Sequence, residues 1–407
     1  MDNASKFAVG LDVGTENVRA VVMTVNKDGT LSVVGYNEGP NAGMRKGVVA
    51  NLTGPGEAID RMLGEVERMS GYEVDSAYVS INGANVMSLK AEGMIVVGAE
   101  DHEITDDDMN RVEDAAVVGR IPANRAVLDV LPLSYTLDGQ GGIKDPLGMT
   151  GSRLELKASV ISTLAPNELN LKKATEGAKV TADKVVPSVV AAARAVLSEK
   201  QMENGVAVVD LGAATTSVAV FEEGDLQYVG VVPVGANNIT NDLAIVLEID
   251  TEIAEDIKQR FITAGFRGGD DIVVKKDKQE MIFPRESVEQ VVRDRLTEIF
   301  DRVRKELKTA KYDHRLPEGI VLVGGGAKMS EIDLFAKEQL QASIKIGKPS
   351  GLGGVGEAIE RPEYAAAVGL AIMAIRGGGA VRTVPNKKKA GLNKKKSGGL
   401  FGWIKKF

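Results

Sequence analysis

Two short acidic motifs, far apart in the chain, constrain its fold more than any other feature. The first is Leu11-Asp12-Val13-Gly14-Thr15-Glu16-Asn17, after the apolar stretch Phe7-Ala8-Val9. The second is Val208-Val209-Asp210-Leu211-Gly212-Ala213-Ala214-Thr215-Thr216, again ending an apolar run. Each reads as strand, tight turn, strand. Each places an Asp at a strand end, then a Gly, then a Thr hydroxyl. Such a turn makes an anion-binding concavity from main-chain N–H groups. Two of them facing each other can hold a polyphosphate, with the two Asp side chains left to hold a metal through water.

A third element, Val321-Leu322-Val323-Gly324-Gly325-Gly326-Ala327-Lys328, completes the set. Glycine there permits close backbone approach to a flat ligand. A single such turn is an ordinary β-turn, but the three in this order resemble the actin and DnaK-chaperone superfamily, in which two related lobes close on ATP. The resemblance makes Asp12 to Thr15 the first phosphate loop, flanked by Glu16 and Asn17. Asp210 to Thr216 becomes the second, with Gly212, Ala213, Ala214, Thr215 and Thr216. Gly324, Gly325, Gly326 and Lys328 become the adenosine loop. It makes Asp12 and Asp210 the carboxylates toward Mg²⁺, and Gly14, Thr15, Gly212 and Thr215 the phosphate donors. Glu255 and Lys258, three apart on one helix face, would reach the ribose and base. A solvated ion pair is the competing account of those two.

Composition narrows the chemistry. A chain of 407 residues exceeds one small core and predicts two or more domains. Aromatics are scarce, so the core must be aliphatic. With no Cys there are no disulfides, thiolate metal sites or Cys nucleophiles. With only His102 and His314, a histidine zinc site or a conventional triad is not expected. Met1 to Lys6 is polar and unlike a signal peptide. No run reaches the roughly 20 apolar residues of a membrane span. The expectation is a cytoplasmic chain. Charge is divided: Lys387 to Phe407 holds eight Lys and no acid, leaving 42 basic and 57 acidic residues in the body. An acidic body repels nucleic acid.

Periodicity places a helix over Pro55 to Ser70, where Ile59, Met62, Leu63 and Val66 share a face. A short strand follows at Tyr78-Val79-Ser80-Ile81. Residues 83–163 have their own pattern. Thr105 reads as the N-cap of a helix to about Val118, with acids in its first turn. Strands are predicted at Ala126 to Leu131, Leu133 to Leu137 and Leu154 to Ile161. Turns are predicted at Gly139-Gln140-Gly141-Gly142 and Asp145-Pro146-Leu147-Gly148.

The stretch from Pro122 through Tyr135, Leu137 to Gln140, Gly142 to Met149 and Gly151 to Leu154 closely resembles the extra subdomain of the FtsA family, bacterial cell-division homologues of actin. Met44-Arg45-Lys46-Gly47-Val48-Val49 does so too. The resemblance covers about residues 7 to 376 and the tail. Actin and DnaK-type proteins lack this insertion. The pilus protein PilM has a similar one and stays as the alternative.

The resemblance implies an α/β fold: two actin-like, ribonuclease H-like lobes around a nucleotide cleft, each on a mixed five-stranded-type sheet. An α+β (SHS2-like) insertion and a C-terminal amphipathic helix complete it. The core of lobe one would be 1–82 and 164–204, with the insertion at 83–163. The core of lobe two would be 205–240 and 316–382, with its outer subdomain at 241–315. A flexible basic linker, 383–398, would lead to a membrane-targeting helix, 399–407.

That last segment stands on its own physics. Leu400, Trp403, Ile404 and Phe407 fall at i, i+3, i+4 and i+7, one helical face, flanked by Lys405 and Lys406. A short amphipathic helix with Trp and Lys suits an anionic bilayer interface. Docking on the protein's own core is the alternative, disfavoured by the basic linker.

Three departures from the family pattern matter. The second loop usually resembles DxGGGTT, and here Gly212-Ala213-Ala214 restricts φ. Asn17 sits where relatives often have a phosphate-facing Lys. Val186-Pro187 replaces a Glu-Pro, so no side chain there can orient water on a γ-phosphate. The implied activity is therefore ATP binding with at most slow hydrolysis, and an ATPase or sugar-kinase-like phosphotransferase on the same fold stays open as an alternative. Implied partners are the acidic C-terminal peptide of the tubulin homologue FtsZ, further copies of the chain in filaments, anionic lipids, and later division proteins. The implied place is the inner face of the cell membrane at the septum. Region 241–315 would receive the FtsZ peptide, with Arg285 and Arg295 aligning loosely with basic residues that matter in the family. A solvated face among Glu286, Glu289 and Asp294 is the other account.

Overall fold

The structure, a computed structural model, describes residues 6–98, 102–276, 279–377 and 382–383. It opens with a meander of β1 (Lys6–Val13), β2 (Asn17–Val25) and β3 (Leu31–Pro40). A small hairpin, β4 (Met44–Arg45) and β5 (Val48–Val49), leads to α1 (Thr53–Ser70) and β6 (Ser76–Ile81). After an inserted unit the chain returns with α3 (Ala165–Gly177), β11 (Thr181–Pro187), α4 (Ser188–Val196) and α5 (Glu199–Asn204). With the short β19 (Gly353–Gly354) at its edge, the resulting sheet has the order β11-β6-β1-β2-β3-β19, with β6 parallel to β1 and the meander antiparallel.

The second lobe repeats this plan. A meander of β12 (Val206–Leu211), β13 (Thr216–Glu222) and β14 (Asp225–Val232) is joined by β17 (Ile320–Val323) and β18 (Ile344–Ile346). Its order is β14-β13-β12-β17-β18, with β17 parallel to β12. The two acidic motifs thus occupy the same corner, the first hairpin, of two equivalent sheets. Between β14 and β17 lie α6 (Ala236–Leu247), α7 (Thr251–Phe261), the hairpin β15 (Ile272–Lys276) and β16 (Gln279–Phe283), and α8 (Arg285–Thr309). Helix α9 (Ile332–Leu340) precedes β18.

Central strands are buried on both faces, which explains their continuous apolar runs. Phe7, Ala8, Val9, Leu11 and Val13 of β1 are all buried. On one side α1 lays down Ile59, Met62, Leu63 and Val66, each burial worth about 1.5–3 kcal/mol. On the other lies α10 (Ala365–Arg376), which follows the short β19 (Gly353–Gly354) and returns the chain to lobe one. Its Ala-rich face approaches so closely that a Cβ on Gly10 would lie 2.0 Å from the Ala367 carbonyl. Helices α10 and α4 meet as tightly, since a Cβ on Gly369 would lie 1.7 Å from the Ala191 carbonyl. Finally β20 (Arg382–Thr383) pairs with the start of β1, so Thr383 belongs to a strand and not to the predicted linker. Residues 384–407, with the predicted membrane helix, lie outside the described residues.

The insertion is an antiparallel sheet of order β7-β10-β8-β9, from β7 (Met87–Val96), β8 (Arg125–Leu137), β9 (Gln140–Ile143) and β10 (Arg153–Leu164). Helix α2 (Asp106–Val117) covers it. Thr105 caps α2 as predicted: its hydroxyl accepts from Asp108 N–H while the Asp108 carboxylate accepts from Thr105 N–H at 3.1 Å. Two predictions need correcting. The strands at 126–131 and 133–137 are one strand, because the register slips by a residue opposite Lys157 and Ala158 and Pro132 is absorbed there. Gln140 to Gly142 is strand, not turn. The turn is the pair Asp138-Gly139, both at positive φ, the usual two-residue hairpin geometry. The insertion also touches lobe two: Val229 N–H donates to Ser88 Oγ at 2.7 Å, and Lys144 pairs with Asp225 at 2.5 Å.

Candidate functional site: a cleft between twin hairpins

The two lobes enclose a cleft of about 1120 Å³. Asp12, Gly14, Thr15, Glu16 and Asn17 line it from lobe one, and Asp210, Gly212, Ala213 and Thr215 from lobe two. Glu255, Lys258, Gly324, Gly325, Gly326 and Lys328 line it as well. Residues predicted from distant stretches are therefore brought into one cavity. Ala214 and Thr216 are not among its lining residues. Thr216 is fully buried, and its hydroxyl donates to the Val234 carbonyl at 2.8 Å.

The twin hairpins share a hydrogen bond that modifies the predicted donor set. Gly14 N–H donates to Asn17 O at 3.0 Å, and Gly212 N–H to Thr215 O at 2.9 Å. These two amides close their own turns, so they are not available to a phosphate. Glycine is needed for another reason: a Cβ would lie 2.8 Å from Asn17 O in the first turn and 3.0 Å from Thr215 O in the second. Among the described residues the amides of Thr15, Glu16, Ala213 and Ala214 have no hydrogen-bond partner, which leaves them as the main-chain donors. The Thr15 hydroxyl already accepts from Gly47 N–H at 3.1 Å. Glu16 reaches across the cleft to Asn237, whose side-chain amide donates to it at 2.5 Å.

Each lobe contributes one Asp, Asp12 buried and Asp210 half-buried. Asp12 accepts from the Ser80 hydroxyl at 2.6 Å, and Ser80 in turn accepts from Val13 N–H at 2.8 Å. Asp210 accepts from the Ser188 hydroxyl at 2.8 Å. Ser188 also lies 2.6 Å from the Asn82 side-chain amide. One hydroxyl proton serves both contacts when Asn82 turns its nitrogen toward Ser188. Burial raises the pKa of Asp12. Burial, reinforced by the charge of Asp12 and opposed by the Ser188 hydrogen bond, pushes Asp210 up to about 6. Two desolvated carboxylates that repel each other fit a hard cation between them, with water or phosphate oxygens completing its shell. Among the described residues no group of three or more His, Cys, Asp or Glu gathers at one point.

Beside the second hairpin, β17 is followed by Gly324, whose φ of 86° and ψ of 174° favour glycine. Its N–H donates to Pro362 O at 3.0 Å, tying the loop to the crossing back into lobe one. Lys328 pairs with the buried Glu363 at 3.1 Å. Lys258 is more than a solvated partner. Its side chain is 10% exposed, and it bonds both Glu255 at 2.6 Å and the Thr240 hydroxyl at 2.8 Å. Burial works to raise Glu255, but Lys258 and Thr240 outweigh it, so its carboxyl sits below the usual value.

The arginines expected to receive a peptide are already engaged. Arg285 donates to the carbonyls of Asp270 at 2.8 Å and Phe261 at 3.1 Å, stapling a loop. Arg295 grips Asp242 with two nitrogens, at 2.6 and 2.9 Å, and also bonds Glu298. Its partners are thus on α6 and its own next turn, not the acids Glu289 or Asp294.

Sequence reasoning missed Ser80, Asn82, Ser188 and Arg19. The first two alternate along the end of β6, which lies parallel beside β1, and that adjacency is a fact of sheet order. Ser188 opens α4 directly after the Val186-Pro187 noted for its missing carboxylate. Arg19 stands opposite Asp12 in the β1–β2 register.

Comparison with known proteins agrees with this architecture. Residues 207–369 match the family described as cell division protein FtsA, and residues 83–162 the SHS2 domain inserted in FtsA. The cell division protein FtsA of Pseudomonas aeruginosa is 36% identical over 372 residues, covering 90% of this chain and 89% of the relative. That of Escherichia coli K12 is 30% identical, with coverage of 90% and 89%. Among solved structures, the PilM–PilN type IV pilus biogenesis complex superposes with a TM-score of 0.66 at 16% identity, over 90% of this chain and 98% of that one. MreB5 of Spiroplasma citri bound to AMPPNP does so at 0.53 and 15%, over 92% and 98%. Both likenesses concern the fold alone. An actin-like pair of lobes, an SHS2 insertion and identity along nine-tenths of the length lead to one statement: the chain belongs to the FtsA family of bacterial cell-division proteins.

Proposed function

We propose that this chain binds ATP with Mg²⁺ in the cleft, assembles into actin-like filaments, and tethers FtsZ to the cytoplasmic membrane at the division site. The observation that carries the nucleotide reading is the pairing of buried Asp12 with half-buried Asp210 at equivalent corners of two hairpins with unpaired amides. Asp12 and Asp210 are the carboxylates that would hold the metal. The amides of Thr15, Glu16 and Ala213 and the Thr215 hydroxyl bind phosphate oxygens, and Glu255 and Lys258 bind the ribose side. Bound magnesium supplies charge neutralisation for the phosphates. Ser188 and Ser80 orient the carboxylates, and neither is a base for water. Nucleotide then acts by its higher affinity for the closed lobes. Isothermal titration tests this: Asp210→Ala should greatly weaken Mg-ATP binding, and unchanged affinity removes the site.

Membrane attachment rests on the sequence of residues 399–407. Four apolar side chains, with Gly402 costing the helix about 1 kcal/mol, make a weak single anchor. Filaments present many tails to one surface and raise avidity. Trp403→Glu should abolish flotation with anionic vesicles while ATP binding persists, and high salt should weaken the wild type. A Trp403→Glu protein that still floats refutes the anchor. FtsZ capture is read as binding of its acidic tail peptide to the region 241–315.

A further inference from the structure

The cleft has an unequal supply of positive charge. Four cations line it among the described residues: Arg19, Lys258, Arg260 and Lys328. Three are committed elsewhere. Lys258 is bound to Glu255 and Thr240, Arg260 to Asp256 at 2.9 Å, and Lys328 to Glu363. At the hairpin end, where Asp12, Glu16 and Asp210 concentrate negative charge, Arg19 stands as the single lining cation among the described residues. Its own neutralisation is incomplete. Its Nε donates to Glu38 at 3.1 Å, but Glu38 is shared with Arg361 at 3.0 Å. Asp12 is 3.9 Å from Arg19 Nη1, beyond hydrogen-bond reach. The Arg19 side chain is 14% exposed, so its remaining N–H groups are largely withdrawn from water. A guanidinium keeps its charge at any physiological pH and carries five donors in a fixed fork suited to phosphate.

We infer that Arg19 is a polyphosphate-contacting residue, the cation that meets the nucleotide's phosphate chain beside the first hairpin, with Glu38 holding it at the cleft wall. This rests on the nucleotide reading above and deepens it. Strand geometry fits: Arg19 and Asn17 are two apart on β2 and share one face, and both line the cleft. Asn17 brings no charge, so the phosphate end depends on Arg19. Because the contact is to phosphate, it adds to the affinity for ATP and nothing to that for adenosine.

The test compares ATP with adenosine as competitors of a fluorescent nucleotide, in the full-length protein, with magnesium and again in EDTA. Arg19→Gln should weaken ATP by about 10- to 100-fold, the worth of a charge-assisted hydrogen bond, and leave adenosine within about twofold. The loss should persist in EDTA, because it does not pass through Asp12 and its metal. Arg19→Lys should recover part of it. Asn17→Lys on the Arg19→Gln background should recover part as well, from the same strand face. Glu38→Gln should keep the ATP-to-adenosine ratio within about threefold, since it removes a holder and no phosphate contact. Equal losses of ATP and adenosine would show a purely structural ion pair and overturn the inference. So would ATP affinity unchanged by Arg19→Gln, a loss confined to magnesium conditions, or a Glu38→Gln protein that reproduces the Arg19→Gln defect. Wild-type protein that binds no ATP at all would instead remove the nucleotide reading itself.

Discussion

Two neighbouring glycines, Gly324 and Gly325, offer a sharp test of how the cleft is built, because their surroundings give them opposite sensitivities. At Gly324 the backbone sits at φ 86° and ψ 174°, a region that side chains avoid at a cost of about 1–3 kcal/mol. A Cβ there would also lie 2.4 Å from Asp210 Oδ1 and 2.7 Å from the Leu211 carbonyl. Relieving such overlap costs about another 1–3 kcal/mol. Gly324→Ala should therefore destabilise the protein by about 2–6 kcal/mol, the sum of the two terms. Because the atom it meets is a cleft carboxylate, it should also weaken Mg-ATP. At Gly325 a Cβ would have nothing within 4 Å, and the residue is not at positive φ. Gly325→Ala should stay within about 0.5 kcal/mol. Urea unfolding monitored by circular dichroism measures both, and titration calorimetry reads the nucleotide. Equal midpoints for the two variants would refute the claim that Gly324 is required by contact with Asp210.

Three further outcomes are expected. Ser188→Ala should cost about 1–3 kcal/mol in urea unfolding, since it strips the half-buried Asp210 carboxylate of its hydroxyl donor. Arg295→Glu should destabilise lobe two, placing a third carboxylate beside Asp242 and Glu298, and Asp242→Arg in the same chain should restore much of the loss. FtsZ-peptide affinity measured in that swapped protein reports on Arg295 without the unfolding artefact. Burial opposes ionisation of Asp108, but the Thr105 hydrogen bonds and Arg111 prevail and hold its carboxyl below the usual range. Its contribution is thus complete above the unfolded carboxylate value and is lost as pH falls through the lower folded one. Asp108→Asn should cost stability near neutrality and lose less than wild type on acidification, as followed by acid titration of unfolding.

The parts of the site that the sequence displayed are those carried by local pattern. Asp12, Asp210 and the Gly324 loop each end an apolar strand, and a strand followed by a Gly turn is visible within ten residues. The capping box at Thr105 and Asp108 was legible for the same reason. What escaped was set by register or by alternation of partners. Ser80 and Asn82 matter because β6 lies beside β1, and nothing in either segment announces that neighbour. Pro132 looked like a break between strands, yet a one-residue slip against β10 accommodates it. Arg285 and Arg295 carried charge in the right region, but a sequence does not show that carbonyls and Asp242 already consume it. The amide of Gly14 looked free, whereas the turn it closes takes its hydrogen.

The close seat of α10 on β1 governs the order in which this protein can be made. Gly10 lies against the Ala367 carbonyl, so the first strand synthesised waits for almost the last helix. Until residues beyond 365 leave the ribosome, the face of the sheet that carries Gly10 lacks its cover, with Val21 and Met23 of β2 open to water. Lobe two, whose sheet and helices lie within one continuous stretch from Val206 to Ile346, meets no such delay. At the usual pace of roughly 5–20 residues per second, the gap lasts many seconds. A truncated first half should therefore be a poor folding unit and a ready client for chaperones. The cleft, which needs both lobes, is completed only after residue 365 has been made.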